Sequence, residues 1–183
     1  DCTPDVIELK DLLLQKADRV IVKLSPMLDW HKAISDLGDA VAEVHIVSVD
    51  NECKELLLVM QSPEAEDVSR KAVKVVCVNN EEEFVFRSVG VKELGVRSEE
   101  LGVREADNEL SIKHYELSIA NGSSSTESPF LYEPNASIMK AGCFSAIEQM
   151  FGVRQLERNS HLFVADTLIA DFPGRKFRIR AVT

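Results

Sequence analysis

Apolar positions along the first quarter of the chain follow two spacings. Over residues 6–17 they recur every three or four positions, which predicts an amphipathic helix with Thr3 as its cap, Pro4 in its first turn and its end near Asp18. Residues 19–24 are instead a compact β-branched run, which is typical of a buried strand. The chain is therefore expected to open with a helix that leads into a strand.

The following elements complete a strand–helix–strand unit. Asp29 is a suitable cap for a helix that continues to Leu37, and residues 44–49 predict a second strand. Residues 55–60 predict a third strand after a short polar corner, so this strand is expected to run antiparallel to the second. With a right-handed crossover between the first two strands, the pattern predicts an α/β unit built on a mixed sheet.

Later segments carry weaker patterns. Residues 72–78 and 83–86 are expected to form a hairpin around Asn79 and Asn80, after a polar linker at 62–67. The remaining predicted elements are a strand over 110–120, one helix from Asn135 to Gly152, and closing strands over 161–164 and 176–180.

A short repeat interrupts this pattern. The sequence Glu-Leu-Gly-Val-Arg at 93–97 recurs at 100–104. Two copies are too few for a solenoid, and the glycine in each copy disfavours a coiled coil, because Gly costs about 1 kcal/mol relative to Ala inside a helix. We interpret residues 89–108 as an inserted loop.

Charge is distributed unevenly along the chain. The formal net charge of −10 argues against a nucleic-acid binder as a whole. Residues 130–183, however, hold seven Lys and Arg against five Asp and Glu, so the acidic excess lies in residues 1–129. Such asymmetry is expected of separate modules, and it leaves RNA binding open for the C-terminal one.

The cysteines and the start of the chain indicate in which cellular compartment the protein is found. The four cysteines are widely and irregularly spaced, so neither a zinc site nor a disulfide framework is predicted, and free thiols indicate a reducing, cytoplasmic setting. No apolar run reaches the roughly 18 residues that a membrane span needs. The start at Asp1, which lacks both an initiator Met and a signal peptide, predicts that the chain continues upstream.

Cofactor motifs are absent from the sequence. A Rossmann-like sheet that binds a nucleotide-type cofactor needs a Gly-rich turn after its first strand, and usually an acid about 20 residues later. None of the eight glycines lies in a G-x-G setting, and no P-loop or nucleophile elbow occurs. The four histidines are scattered, as surface or core residues usually are. We therefore expect no cofactor and no metal to be bound by this chain alone.

Two segments of the first half could carry chemistry. Lys23 lies inside an apolar strand and is followed by Ser25, Pro26 and Asp29, at the strand end where open α/β sheets bind ligands. A lysine on an edge strand that reaches solvent is the alternative. The acidic corner at 50–55 could orient a substrate, although solvated turn chemistry is the commoner interpretation of such a corner.

Cations are concentrated near the C-terminal end. Alternation of Lys176, Arg178 and Arg180 would place three cations on one face of a strand, where they could contact phosphates. A charged edge that prevents strand aggregation is an equal alternative. The residues that we predict to bind RNA are Lys140, His161, Arg175, Lys176, Arg178 and Arg180.

These motifs resemble a known family. Residues 23–29 and 49–56 resemble the late part of the catalytic domain of class I S-adenosylmethionine-dependent methyltransferases of the Bacteroidetes type. The C-terminal THUMP-like domain of the same proteins is similar to residues 131–140, 159–162 and 172–175, and a small ferredoxin-like segment lies between the two parts.

The resemblance implies a function for the longer protein. It implies transfer of a methyl group from S-adenosylmethionine to RNA, with the THUMP-like part helping to hold the substrate. The cofactor loop and the Asp-Pro-containing catalytic motif are then expected upstream of Asp1, with Lys23, Ser25, Pro26 and Asp29 as contributors.

The predicted fold class is α/β followed by α+β. Residues 1–62 are expected to end a Rossmann-like mixed sheet, 63–120 to form a small ferredoxin-like hairpin domain, and 121–183 to form a THUMP-like domain. Two alternatives stay open: a stand-alone RNA or protein interaction module without catalysis, and a truncated product without function.

Overall fold

The computed structural model describes residues 4–62, 72–89, 130–157 and 160–180. The first part of the chain combines two helices with a five-stranded sheet. Its elements are α1 (Val6–Lys16), β1 (Arg19–Leu24), α2 (Trp30–Leu37), β2 (Val41–Val49), β3 (Glu52–Gln61), β4 (Ala72–Asn79) and β5 (Glu82–Val89).

The two helices begin at aspartate caps. The Asp29 carboxylate accepts the amides of His31 and Lys32, as expected from the sequence. At α1 the cap is Asp5, whose Oδ1 accepts the Ile7 amide at 2.9 Å, rather than the predicted Thr3, which lies outside the described residues. A cap must sit directly before the first helical residue, and the helix begins two residues later than expected.

The sheet is mixed, as predicted. Its strand order is β1-β3-β2-β4-β5, with β3 antiparallel to both of its neighbours and β4 parallel to β2. Strands β1 and β2 therefore run parallel, with β3 inserted between them. The hairpin β4–β5 belongs to the same sheet, so the domain boundary that we placed after residue 62 falls between strands of one sheet.

Two short turns set the register at one end of the sheet. The β2–β3 turn holds Asp50 and Asn51 at φ 51° and 61°, and the β4–β5 turn holds Asn80 at φ 53°. Asn and Asp tolerate this left-handed region better than other residues that carry a side chain, which explains their positions.

The second part of the chain is a small four-stranded sheet with two helices. Its strand order is β7-β8-β6-β9. The elements are β6 (Phe130–Pro134), α3 (Ala136–Ala141), α4 (Phe144–Phe151), β7 (Arg154–Gln155), β8 (Phe163–Ala165) and β9 (Gly174–Arg178).

The single helix that we predicted over 135–152 is wrong. Gly142 adopts a left-handed conformation (φ 70°, ψ 18°), and its amide closes the last turn on the Ile138 carbonyl. A second helix then starts after Cys143. Met150, which lies on this second helix, is exposed to solvent.

The two sheets share one core through α3. This helix packs across β2, β3 and β4, and the rings of Phe84 and Phe151 lie 6.1 Å apart at the same junction. Buried residues of both parts form a single cluster. The predicted strand at 110–120 and most of the repeat insertion at 89–108 lie outside the described residues.

Candidate functional site

Lys23 lies on β1 and is engaged within the sheet. Its ammonium forms an ion pair of 2.5 Å with the Glu55 carboxylate of the neighbouring strand β3. The side chain is mostly exposed. Lys23 therefore reaches across the sheet surface to Glu55, which is itself a member of the acidic corner at 50–55.

The loop after β1 uses its polar groups for its own structure. The Ser25 hydroxyl accepts the Met27 amide at 3.3 Å, and Pro26 is half-buried beside it. Burial opposes ionisation of Asp29, but hydrogen bonds from the His31 and Lys32 amides outweigh it and lower the pKa of the Asp29 carboxyl. Ser25 therefore supports the turn after β1, and Asp29 forms the start of α2.

His31 interacts with two residues that we predicted as site residues, Asp29 and Lys140. Its Nδ1 lies 3.4 Å from Asp29 Oδ1, and its ring stacks on Trp30 with centroids 3.7 Å apart. Burial lowers the pKa of His31, Asp29 opposes this shift, and the positive charge of Lys140 adds to it. The Lys140 charge on α3 therefore acts on His31 of α2, although sequence analysis placed the two helices in different domains.

Trp30, which precedes His31, has a buried indole nitrogen. The side chain is 2% exposed, and its indole Nε1 has no hydrogen-bond partner. A buried donor without an acceptor costs about 1–3 kcal/mol. No sequence signal identified this atom, because its burial depends on how α2 packs on the sheet.

The acidic corner proves to be part of a structural clasp. Asn79 Oδ1 accepts the Ser48 hydroxyl at 2.9 Å and the Asn51 amide at 3.0 Å, while Asn80 Oδ1 accepts the Asp50 amide at 3.0 Å. These bonds tie the β2–β3 turn to the β4–β5 turn. The arrangement supports the turn interpretation of this corner.

The clasp also holds the second part of the chain. Asn51 Oδ1 accepts the Ala136 amide at 2.7 Å, at the first residue of α3. The Cys53 thiol donates to the Ala136 carbonyl at 3.3 Å. Sequence analysis identified Asn51 only as a corner residue, since its partner lies 85 positions further along the chain.

Among the strands that the structure describes, β9 lies at an edge of the second sheet and pairs with β6 alone. The register places Lys176 opposite Tyr132 and Arg178 opposite Phe130. The Arg178 guanidinium lies over the Phe130 ring, 6.0 Å from its centroid. Both cations are exposed, and exposed Arg180 follows the strand.

Two members of the predicted RNA-binding set lie elsewhere. Arg175 points to the other face of β9 and pairs with Glu133 at 2.6 Å, so its charge is locally balanced. His161 precedes β8 and stacks on Phe144 with centroids 5.2 Å apart. Strand register places it at the end of the sheet opposite Arg178. The six residues therefore do not form one patch.

Of the cysteines that the structure describes, Cys77 and Cys143 are buried and Cys53 is half-buried. Cys53, Cys77 and Cys143 are free. A hydrogen bond with Cys143, together with burial, raises the pKa of the Cys77 thiol. In the part of the chain that the structure describes, no three His, Cys, Asp or Glu side chains are arranged to hold a metal ion.

The lengths of the helices bear on membrane crossing. Within the four described ranges, each helix is too short or too polar to span a bilayer. The longest of them, α1, has 11 residues, about half of the roughly 20 that a span requires.

Comparison with known proteins identifies two similarities. A family model for a ferredoxin-like domain matches residues 130–173. This range lies inside 121–183, where we expected the THUMP-like domain, and not inside 63–120. No curated protein matches the chain.

A solved structure covers almost the whole chain. It is a "putative methyltransferase" from Porphyromonas gingivalis W83, which is 29% identical over 99% of this chain, with a TM-score of 0.70. The chain spans 39% of that protein's length. The similarity therefore extends over both sheets described above and relates the chain to a methyltransferase-like protein.

Proposed function

We propose that the chain is the C-terminal part of an S-adenosylmethionine-dependent methyltransferase that acts on RNA. The observation that carries the proposal is the similarity to the Porphyromonas gingivalis protein over 99% of this chain. The ferredoxin-like match at 130–173 marks the part of the chain that we propose to hold the substrate. The alternative is an interaction module without catalysis.

The cofactor is proposed to bind outside this chain. The polar groups at the carboxyl end of β1 serve internal roles, since Ser25 accepts the Met27 amide and Asp29 caps α2. They do not form a free set of donors and acceptors for an adenosine ribose, and the sequence offers no Gly-rich turn to approach it. S-adenosylmethionine would supply the methyl group from the remainder of the longer protein.

RNA is proposed to bind along the edge of β9. Lys176, Arg178 and Arg180 are exposed there, and Arg178 is held over Phe130 by a cation–π contact. A held guanidinium loses less conformational entropy on binding a phosphate or stacking on a base. Lys140 would add a cation where α3 meets the first sheet.

A methyl-transfer assay tests the catalytic part of the proposal. The longer polypeptide, extended upstream through the preceding in-frame coding sequence, is incubated with tritiated S-adenosylmethionine and total cellular RNA. Label is expected in RNA with the longer polypeptide and not with residues 1–183 alone. Transfer by the short chain, or to protein only, would contradict the proposal.

A binding assay tests the RNA-holding part separately. The chain is titrated against a pool of small structured RNAs at two salt concentrations. Arg178→Ala is expected to reduce the slope of log K against log salt by about 0.7–0.9, the value of one lost phosphate contact. Arg87→Ala, which removes an exposed cation from β5, is the matched control and is expected to leave the slope unchanged. Equal slopes for wild type and Arg178→Ala would contradict the assignment.

A further inference from the structure

The second sheet packs one of its faces against helix α4. Tyr132 and Phe163 point to that face and are fully buried, and the Phe163 ring lies 6.0 Å from that of Phe144 on α4. Neighbouring residues of a strand point to opposite faces of the sheet. Leu131 and Phe177, which the register pairs with each other, therefore lie on the outer face.

The outer face carries an exposed aromatic ring. All eight phenylalanines of the chain lie in the described ranges, and Phe177, at 44%, is the exposed one among them. Leu131 and Val164, which pair with each other, continue the row across the sheet and are half-buried. Covering this apolar surface would be favourable, because it removes the ring from water. The outer face thus offers an apolar strip that ends at the Phe177 ring.

Charged side chains surround this ring. Arg175 lies on the same face, two residues before Phe177, and its guanidinium pairs with Glu133 at 2.6 Å. Alternate residues of a strand are about 6.6 Å apart, so a planar group that covers the ring extends to this ion pair. Guanidinium and carboxylate groups both bind the edges of bases by hydrogen bonds. On the other face of β9, Lys176 and Arg178 are exposed.

We propose that Phe177 stacks an unpaired base of the RNA while Lys176 and Arg178 contact its phosphates, so that β9 binds single-stranded RNA. The inference rests on the proposed function, which supplies RNA as the ligand. Bases of a single strand can stack on an aromatic ring, whereas those of a duplex are stacked on one another. Charge favours RNA over a protein partner here, because residues 130–183 hold seven Lys and Arg against five Asp and Glu.

Fluorescence anisotropy tests the stack with residues 1–183. The two probes are a short labelled RNA single strand and the duplex that it forms with its complement. Phe177→Ala is expected to weaken binding of the single strand by about tenfold, as the loss of one stacked base does, and to leave the duplex affinity unchanged. Phe177→Tyr keeps a planar ring and is expected to bind like wild type. Equal affinity of wild type and Phe177→Ala for the single strand would overturn the proposal.

Two further variants separate the stack from folding and from charge. Phe177→Leu keeps the apolar bulk that supports the sheet but loses the planar ring, so the same loss of about tenfold is expected with an unchanged slope of log K against log salt. A reduced slope would show that the ring acts through the cations and would overturn the proposal. Met150→Ala, which removes an exposed apolar side chain from α4, is the matched control and is expected to bind like wild type.

The outcomes distinguish this inference from the proposed function. Binding of single strands that depends on Phe177, without methyl transfer by the longer polypeptide, would keep the stack and overturn only the proposed activity. Methyl transfer to RNA without any effect of Phe177→Ala on binding would overturn only the stack. In the longer polypeptide, Phe177→Trp emission that is shielded from acrylamide before RNA is added would assign the outer face to a protein contact and overturn the proposal.

Discussion

The Asn51 side chain accepts the backbone amide of Ala136 at 2.7 Å, which joins the β2–β3 turn to the first residue of α3. The bond satisfies an amide that the helix itself cannot pair. The same residue occupies the left-handed region at φ 61° and donates its own amide to Asn79. Through its backbone and its side chain, Asn51 thus connects a turn, a helix start and the junction of two sheets.

Loss of this acceptor is expected to destabilise the fold. Asn51→Ala removes the bond to Ala136 and places a poorly suited residue at positive φ, which should lower the free energy of unfolding by about 1–3 kcal/mol. Asn51→Asp keeps an acceptor oxygen and tolerates the left-handed region, so its loss should be smaller. Urea denaturation measures both, and an equal effect of the two variants would contradict the role of the acceptor.

Gly174 is expected to resist replacement because of close packing. A Cβ at this position would lie 2.1 Å from the Glu133 carbonyl oxygen and 2.9 Å from Pro134 Cα, both of which are backbone. Gly174→Ala should therefore cost at least about 3 kcal/mol, the upper range for an overpacked site. Gly152→Ala is the control, since open space surrounds it and only its φ of 65° opposes alanine, at about 1–2 kcal/mol. Thermal unfolding would contradict this order if Gly152→Ala were the more damaging.

Asp29 is expected to act as a helix cap in stability measurements. Asp29→Ala removes the acceptor of the His31 and Lys32 amides and should cost about 1 kcal/mol, whereas Asp29→Asn keeps the acceptor and should cost less than about 0.5 kcal/mol. Chemical denaturation of both variants tests the difference. Methyl transfer by the longer polypeptide would fall in Asp29→Asn only if the carboxylate also served the reaction.

His31 is expected to make stability depend on pH on the acid side. Burial, as the largest cause, lowers its pKa in the folded state below the ordinary value of 6.5. The unfolded chain therefore binds the proton first, so the His31 contribution is fully present above about pH 6.5 and is lost as pH falls through the folded-state pKa. His31→Gln should flatten this part of the stability profile, measured by urea denaturation between about pH 5 and 8. An NMR titration midpoint of His31 at or above 6.5 would contradict the prediction.

Local signals in the sequence predicted much of the first sheet. The strand at 19–24, the helix capped by Asp29 and the hairpin around Asn79 depend on spacing and turn chemistry within a few residues. The antiparallel β3 followed from the short corner before it. At Gly142 the same reasoning failed, because the apolar pattern continued through a residue whose left-handed conformation ends one helix and allows another to start.

Long-range relationships could not be predicted from the sequence. Asn51 and Ala136 come into contact only when α3 packs on the first sheet, and the Lys140 charge then acts on His31. The predicted cations were treated as one group, but strand register separates Arg178 from His161. The spacing along the chain predicts which face of a strand a side chain occupies. The register with the neighbouring strand determines at which end of the sheet that residue lies.

The stacking of Trp30 on His31 gives the protein an optical reporter of its own. The chain contains one tryptophan, and its ring centroid lies 3.7 Å from that of the imidazole. A protonated imidazole quenches indole emission more strongly than a neutral one. The fluorescence of the unmodified protein should therefore follow the charge of His31.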